Sequence, residues 1–490
     1  MMLAKLKPKP TDEQCFILDQ IRSSQSNLQI NAFAGTGKSA TLKMIDELMP
    51  ESLLSLYLVF NKRNAEEAID SNEFRPLIET ENRRPVRGTK IQTLNGCGHG
   101  VWAQKAQDKI SLDKDKTKKL FYTHLQTFTK PSQDEAWEEW SNVKQGVELA
   151  KALGYLPEGK YPSAARLCTW SAVNDACDEP LSPLAKELVD EILLVSVKTA
   201  IKGFIDFNDQ VYMPALFGGP FPRYPVGMVD ETQDLSPVNH AMLDRLGFER
   251  LISVGDPAQT IYTFRGAKAN GMADIRRRFA MSEADLSISF RCSQRIVEEA
   301  RWRVPTFKWF NQGGVVEELS QIKLDEIRED SAIICRNNAP LFRLAIRLLS
   351  SGRNVRVHGS DMGPRLTAIM RKLGPEGMSQ ESTLSAIEDW EGERMEKGSK
   401  TAKDIADCMR VFVSYGPTLK HALLYIDSIF KQHGSIELLT GHKSKGLEWN
   451  RVYFLDQFLI GEDEQDLNLR YVIQTRAKQE LYYINSREIQ

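Results

Sequence analysis

The sequence predicts an α/β protein built on parallel sheets, and three stretches predict it. Residues 31 to 39 read NAFAGTGKS, between the apolar run Leu28-Gln29-Ile30 and a helical pattern from Thr41 to Met49. Residues 226 to 234 read VGMVDETQD, an apolar run that ends in two carboxylates. Residues 250 to 254, RLISV, are a third such run and lead into GDPAQTIYTFRGA at 255 to 267. Short continuous apolar runs closed by glycine or acid are the pattern of strands buried on both faces, and ligands of such sheets bind at the strands' carboxyl ends.

The first stretch has the layout of a phosphate-binding loop. Gly35 and Gly37 let the backbone of Ala34, Gly35, Thr36 and Gly37 turn its N–H groups toward a polyphosphate, and a helix starting near Lys38 adds its positive end. Lys38 would reach the β and γ phosphates and Ser39 would hold Mg²⁺. The pattern G-x-x-x-x-G-K-[ST] is met except at its first glycine, which is Ala32. In the second stretch Asp230 is the expected metal carboxylate and Glu231 the base. An acidic turn after a strand is the bland alternative, disfavoured by the phosphate loop elsewhere in the chain. In the third, Gln259 can sense a γ-phosphate. Tyr262, Phe264 and Arg265 offer stacking faces and a cation, the combination that binds unstacked bases. A single aromatic there is more often core; the alternation with Arg265 favours the surface.

NAFAGTGKS, VDETQD, VGDPAQTIYTFRGA, LSISFRCSQRI (286–296), LLTGHKSKGLEW (438–449) and LRYVIQTRAKQEL (469–481) together resemble, in order, the motifs of superfamily 1 DNA helicases of the UvrD/Rep type. INAFAGTGKS, VFNKRNAEEA, TLNGCGH and TGHKSKGLE look most like the helicase core of F-box DNA helicases and their phage and bacterial relatives. The resemblance runs from Thr11 to Leu481. It implies ATP and Mg²⁺ as ligands, with Gln14 reading the adenine, Phe290 stacking on it, Glu448 contacting the ribose, and Arg291 and Arg476 facing the γ-phosphate. It places Asn61, Lys62, Thr93, His99, Tyr262, Phe264, Arg265, Thr440 and His442 in motifs used against single-stranded DNA. Asn95 stands where UvrD has histidine, Phe60 where it has threonine, Phe264 where it has tryptophan, and Thr232 where DEAQD has alanine.

The organisation implied is two RecA-like P-loop domains, each carrying a mainly helical insertion: residues 1–102 and 200–272 with insertion 103–199, then 273–360 and 434–490 with a reduced insertion 361–433. The first insertion holds Trp137, Trp140, Trp170 and the charge run Asp113 to Lys119. That run reads as a solvated helix face, or else as DNA contact by Lys116, Lys118 and Lys119. Ile205-Asp206-Phe207-Asn208-Asp209 looks like the family's DFDDL element, and Arg336 and Asn338 fit its R-x-N turn. His358 and His433 read as surface or capping residues.

Composition bounds the reading. A net charge of −2 argues against a broad basic surface, so any nucleic-acid track is local. The seven cysteines are scattered without C-x-x-C spacing and read as reduced thiols. No signal peptide is expected, because the first ten residues lack an apolar core, and no membrane span, because nowhere do about eighteen apolar residues run together; the expectation is an intracellular protein, in a bacterium or phage-infected cell, or in a nucleus if eukaryotic. From the chain's two ends the sequence reading also expects neither an F-box extension nor a nuclease domain.

The functional expectation is an ATP-dependent helicase moving on single-stranded DNA and at single-strand/duplex junctions, 3′ to 5′ by resemblance, in replication, recombination or repair, with a loading or recombination protein as a further expected partner. The alternatives are a translocase that displaces bound proteins with little unwinding, and a P-loop switch that never moves on DNA.

Overall fold

The computed structural model describes residues 9–81, 84–359 and 361–490, apart from the side chains of Pro131 and Arg265. Two compact units are present. One comprises the chain through Phe33, Gly37–Cys177 and Leu181–Ser287; the other comprises Ala34–Thr36, Asp178–Pro180 and Ile288–Gln490.

The first unit is built on β1 (Leu28–Ala32), β2 (Leu54–Val59), β3 (Ile78–Glu79), β4 (Pro85–Thr93), β5 (Val226–Val229), β6 (Arg250–Gly255) and β7 (Ser282–Leu286). They form one seven-stranded sheet in the order β3-β4-β2-β5-β6-β1-β7, parallel throughout except for the β3–β4 pair. Alternation across the pleat divides β2 between two cores. Tyr57 and Val59 pack with Ile30, Leu42 and Ile45 on one face, and Leu56 and Leu58 with Tyr212, Met242 and Leu246 on the other. Strand β7 pairs with β1 from Leu28–Ser282 to Ala32–Leu286. The second domain, expected from residue 273, starts later, because the chain leaves the first sheet only after Leu286. The half-exposed run SEADL, with two acids among five residues, has little of the apolar signature that marks β5 and β6.

The stretch 103–199 is helical, with helices Lys116–Leu125, Lys130–Glu138, Trp140–Leu153, Trp170–Ala176 and Pro183–Ile201. Its small core gathers Phe121, Val143, Val147, Leu188 and Ile192, with Trp140 packed against it. Lys116 corrects the reading of the charge run: it is fully buried, neither on a solvated face nor open to DNA. Its ammonium donates to the Asp209 carboxylate at 2.6 Å and to the Ser196 carbonyl at 2.8 Å. Lys118 and Lys119 are exposed, Lys119 paired with Asp113.

The second unit's sheet holds β8 (Val315–Leu319), β9 (Ser331–Cys335), β10 (Val355–Val357), β11 (Ile436–Thr440), β12 (Trp449–Leu455) and β13 (Ala477–Ile484), all parallel, in the order β8-β13-β12-β9-β11-β10. The stretch 361–433 forms helices Met362–Leu373, Gln380–Glu396, Ala402–Val413 and Leu419–Ile429. One buried cluster runs from Ile333 through Phe342 to Ile387, Met409, Phe412 and Ile426, so these helices share the core of the sheet. His358 Nε2 lies within hydrogen-bond distance of Glu437 Oε2, at 2.5 Å, and Arg336 is ion-paired with Asp466 at 2.8 Å.

Candidate active site and nucleic-acid track

The three phosphate-site strands are neighbours in the sheet order β5-β6-β1, so the loops that follow them meet at one carboxyl edge. After β1, Gly35 and Gly37 take φ of +70° and +82°, a backbone that L side chains disfavour, and the helix Lys38–Leu48 starts from Gly37. Lys38 lies 3.1 Å from Glu231 Oε1 and 3.3 Å from its Oε2, with 16% of its side chain exposed. Burial works to lower the Lys38 pKa, but the carboxylates of Glu231, Asp230 and Asp256 outweigh it and hold it above its ordinary value.

After β5, Glu231 adopts the left-handed backbone, φ +49°, at a cost of about 1–2 kcal/mol for a residue with a Cβ. Its N–H donates to Asp230 Oδ1 at 2.8 Å, and its carboxylate accepts from Gln233. Asp230 Oδ2 accepts from the Tyr57 hydroxyl at 3.2 Å. Thr232 uses its hydroxyl on the carbonyls of Val229 and Val254, tying the ends of β5 and β6 together.

After β6, Asp256 is buried, accepts from Ala258 N at 3.0 Å and from Gln259 Nε2 at 2.7 Å, and donates its own N–H to Gln233 Oε1 at 3.1 Å. Lys38, Asp230, Glu231 and Gln259 are thus brought to one edge of the sheet. Asp256, Gln233 and Tyr57 were missed, although Asp256 stands in the quoted Gly-Asp-Pro run and an acid at a third strand end was a usable signal.

Burial pushes Asp230 up to about 6, with the Glu231 charge adding to it; burial likewise raises Asp256 to about 6, opposed by Lys38. A carboxyl raised in the folded state binds its proton before the unfolded chain does. Its stability is therefore full below about pH 4 and is lost as pH rises through about 6. Asp256→Asn removes one such group, so the variant should lose less stability than the wild type between pH 5 and 7.5. At pH 7.5 it should be more stable by about 1–3 kcal/mol, read by urea unfolding at both pH values. An equal pH response in the two proteins would contradict the raised Asp256.

Hard oxygen donors are what Mg²⁺ takes, and it keeps several waters and uses one or two carboxylates with substrate phosphates. The Ser39 hydroxyl, exposed at the start of the helix, and the Asp230 carboxylate fit that donor set. No group of three or more His, Cys, Asp or Glu forms an all-protein metal cage among the described residues. Gln14 caps the helix Asp12–Ser23 by accepting from Thr11 N, and donates to Thr41 Oγ1 on the phosphate-loop helix, both at 3.0 Å.

In the second unit, Arg291 Nε lies 2.6 Å from Glu448 Oε2, and Lys478 Nζ lies 2.6 Å from the other Glu448 oxygen. Arg476 is buried and donates to the carbonyls of Val472 and Leu447 at 3.0 and 3.1 Å. Phe290 is exposed, with the Phe310 ring 5.2 Å away.

Four of the residues assigned to DNA, Asn61, Lys62, Thr93 and His99, follow β2 and β4, on the other half of the first sheet's carboxyl edge. Asn61, just past β2, caps the helix Lys62–Asp70 by accepting from Asn64 N at 2.9 Å, and Lys62 is exposed. Thr93, ending β4, caps the helix Leu94–Ala103 by accepting from Gly96 N at 3.0 Å. His99 lies on that helix, 3.1 Å from Gln210 Nε2. Past β6, Phe264 is 45% exposed and Tyr262 packs edge-on against it, while the Arg265 side chain lies outside the described residues. In the second unit, Thr440 is buried at the end of β11 and His442 is partly exposed on the short helix Gly441–Ser444. All seven cysteines are free thiols. Among the described residues no helix is long and apolar enough to cross a membrane.

The family model for the UvrD/REP helicase N-terminal domain matches residues 16–280, and that for the UvrD-like helicase C-terminal domain matches residues 435–484. F-box DNA helicase protein 1 of Schizosaccharomyces pombe is 24% identical over 539 residues, covering 96% of this chain and 57% of its own. F-box DNA helicase 1 of Gallus gallus is 25% identical over 545 residues, 98% of this chain and 49% of its own. The RecBCD enzyme subunit RecB of Mycolicibacterium smegmatis is 32% identical over 130 residues, 22% of this chain and 12% of its own. The chain spans about half the length of the two F-box relatives.

Proposed function

The chain belongs to the UvrD/REP helicase family, and from that premise we propose that it is an ATP-dependent DNA helicase and translocase on single-stranded DNA, moving 3′ to 5′ and serving recombination or repair. The observation that carries the reading is the meeting of Lys38, Asp230, Glu231, Asp256 and Gln259 at the ends of three adjacent strands. Asn61 follows β2, the strand next to β5, and Thr93 ends β4, one strand beyond, on the same edge. One sheet edge then carries both the proposed phosphate-transfer site and the proposed strand-binding track.

In the proposed reaction Lys38 exchanges the Glu231 carboxylate for the β and γ phosphates of ATP, which frees Glu231 to accept the proton of the attacking water. Ser39 and Asp230 would hold Mg²⁺, whose positive charge neutralises phosphate oxygens when bound. Gln259, oriented by Asp256, offers its amide to the γ-phosphate. By the family resemblance, Arg291 and Arg476 would supply positive charge to the transferring phosphoryl group, and Phe290 and Glu448 would hold base and ribose. The proposed partners are single strands and single-strand/duplex junctions, with a loading protein as a further one.

Steady-state ATP hydrolysis with and without single-stranded DNA, against duplex DNA and RNA, tests the reading. Strong stimulation by single-stranded DNA supports it; hydrolysis indifferent to DNA would favour the switch. Directional strand-displacement substrates then read polarity. Lys38→Ala should fold as the wild type does and lose hydrolysis, because the phosphate charge is left unpaired. Wild-type turnover in that variant would refute the site. A translocase that displaces proteins with little unwinding is the second reading, favoured by the small 361–433 insertion whose helices share the sheet's core. Protein-displacement and unwinding assays on one preparation separate the two.

A further inference from the structure

We propose that Gln210 is a positioning residue of the DNA track, holding Asn95 and His99 in a single orientation; this rests on the function proposed above. Asn95 and His99 are one turn apart on the helix Leu94–Ala103 and so share a face. That helix packs on Asp209–Phe217 so closely that a Cβ on Gly98 would lie 2.0 Å from the Gln210 carbonyl oxygen. The approach brings the Gln210 side chain, almost wholly buried, between the two residues. Its Oε1 accepts from Asn95 Nδ2 at 3.2 Å and its Nε2 meets His99 Nδ1 at 3.1 Å. Asn95 Nδ2 also donates to the Phe207 carbonyl at 2.8 Å.

A carboxamide carries an acceptor and two donors on one planar group, so it satisfies an amide N–H and a ring nitrogen at once. With the Gln210 N–H given to Nδ1, the His99 ring carries its proton on Nε2, the nitrogen left to donate to a phosphate. The residue before Gln210 is also held firmly. Asp209 is gripped by Lys116 at 2.6 Å and Lys151 at 2.7 Å, which fixes the backbone from which Gln210 reaches.

The test is the Kd for a fluorescent oligo-dT strand, by anisotropy without nucleotide, for wild type, Gln210→Leu, Asn95→Ala/His99→Ala, and the triple variant. Leucine keeps the volume and removes the hydrogen bonds, and unchanged thermal unfolding verifies its fold. Gln210→Leu is expected to weaken binding by about 5- to 10-fold, as loss of one or two hydrogen bonds does. It should add nothing in the Asn95→Ala/His99→Ala background. Wild-type affinity in Gln210→Leu, or equal weakening in both backgrounds, would overturn the positioning role while leaving the function standing. A wild-type protein that does not bind the strand overturns the function, and this inference with it.

Discussion

Glu231→Gln is expected to lower DNA-stimulated ATP turnover by about 10²- to 10⁴-fold, the contribution of a placed general base. The amide keeps the size of the side chain and can still meet Gln233, so the left-handed turn that aims residue 231 is retained. What it cannot do is take a proton. ATP affinity should be preserved or tighten, because Lys38 no longer leaves a carboxylate 3.1 Å away in order to meet phosphate. That sign separates this variant from Lys38→Ala, in which the phosphate loses its counter-charge. Single-turnover hydrolysis and equilibrium binding of a fluorescent ATP analogue read the two quantities. A loss of less than tenfold in turnover would move the base elsewhere, with Asp256 the next carboxyl on the same edge.

How far the site can be read from the residues depends on the range of the interactions that build it. Lys38, Asp230 and Gln259 are legible because each follows a buried strand within a few residues, and strand order then brings the three loops together. The resemblance supplied Arg291, Arg476 and Glu448, and the structure adds that Glu448 binds Arg291 and Lys478 at once. Strand β7 escaped because an acidic, half-exposed strand lacks the apolar run that announces a parallel sheet. Gln210 escaped for another reason. Its partners are 115 and 111 residues away, so no local pattern marks it. Lys116 is the sharpest case: among seven mostly charged residues it reads as solvated, yet its carboxylate partner is 93 residues further on and its ammonium is buried.

That burial makes Asp209→Ala the substitution with the largest expected effect on stability. Asp209 is enclosed with Lys116 and Lys151, whose ammonium groups lie 2.6 and 2.7 Å from its two oxygens, and Lys151 also reaches Asp206 at 2.6 Å. Burial favours the neutral acid, but the two lysines prevail and hold the Asp209 pKa below its ordinary value; burial lowers that of Lys116. Removing Asp209 leaves two buried ammoniums facing one carboxylate. Breaking such a pair from one side costs about 3–5 kcal/mol, a large share of the stability of an ordinary domain. Urea unfolding should show it, and Lys119→Ala, on the exposed pair with Asp113, should not change the midpoint measurably. Replacing Lys116 by methionine together with Asp209→Leu should recover much of the loss, because Lys151 then keeps Asp206 as its partner and no buried charge is left unpaired. The damage should also be local. Lys116 and Lys151 come from helices Lys116–Leu125 and Trp140–Leu153, and Asp209 opens the helix that packs beside His99. Hydrogen exchange in Asp209→Ala should therefore speed first in those helices and in Leu94–Ala103, ahead of β1, β5 and β6. Uniform acceleration across the first unit would instead mean that the buried charges stabilise the whole sheet rather than fasten the insertion to it.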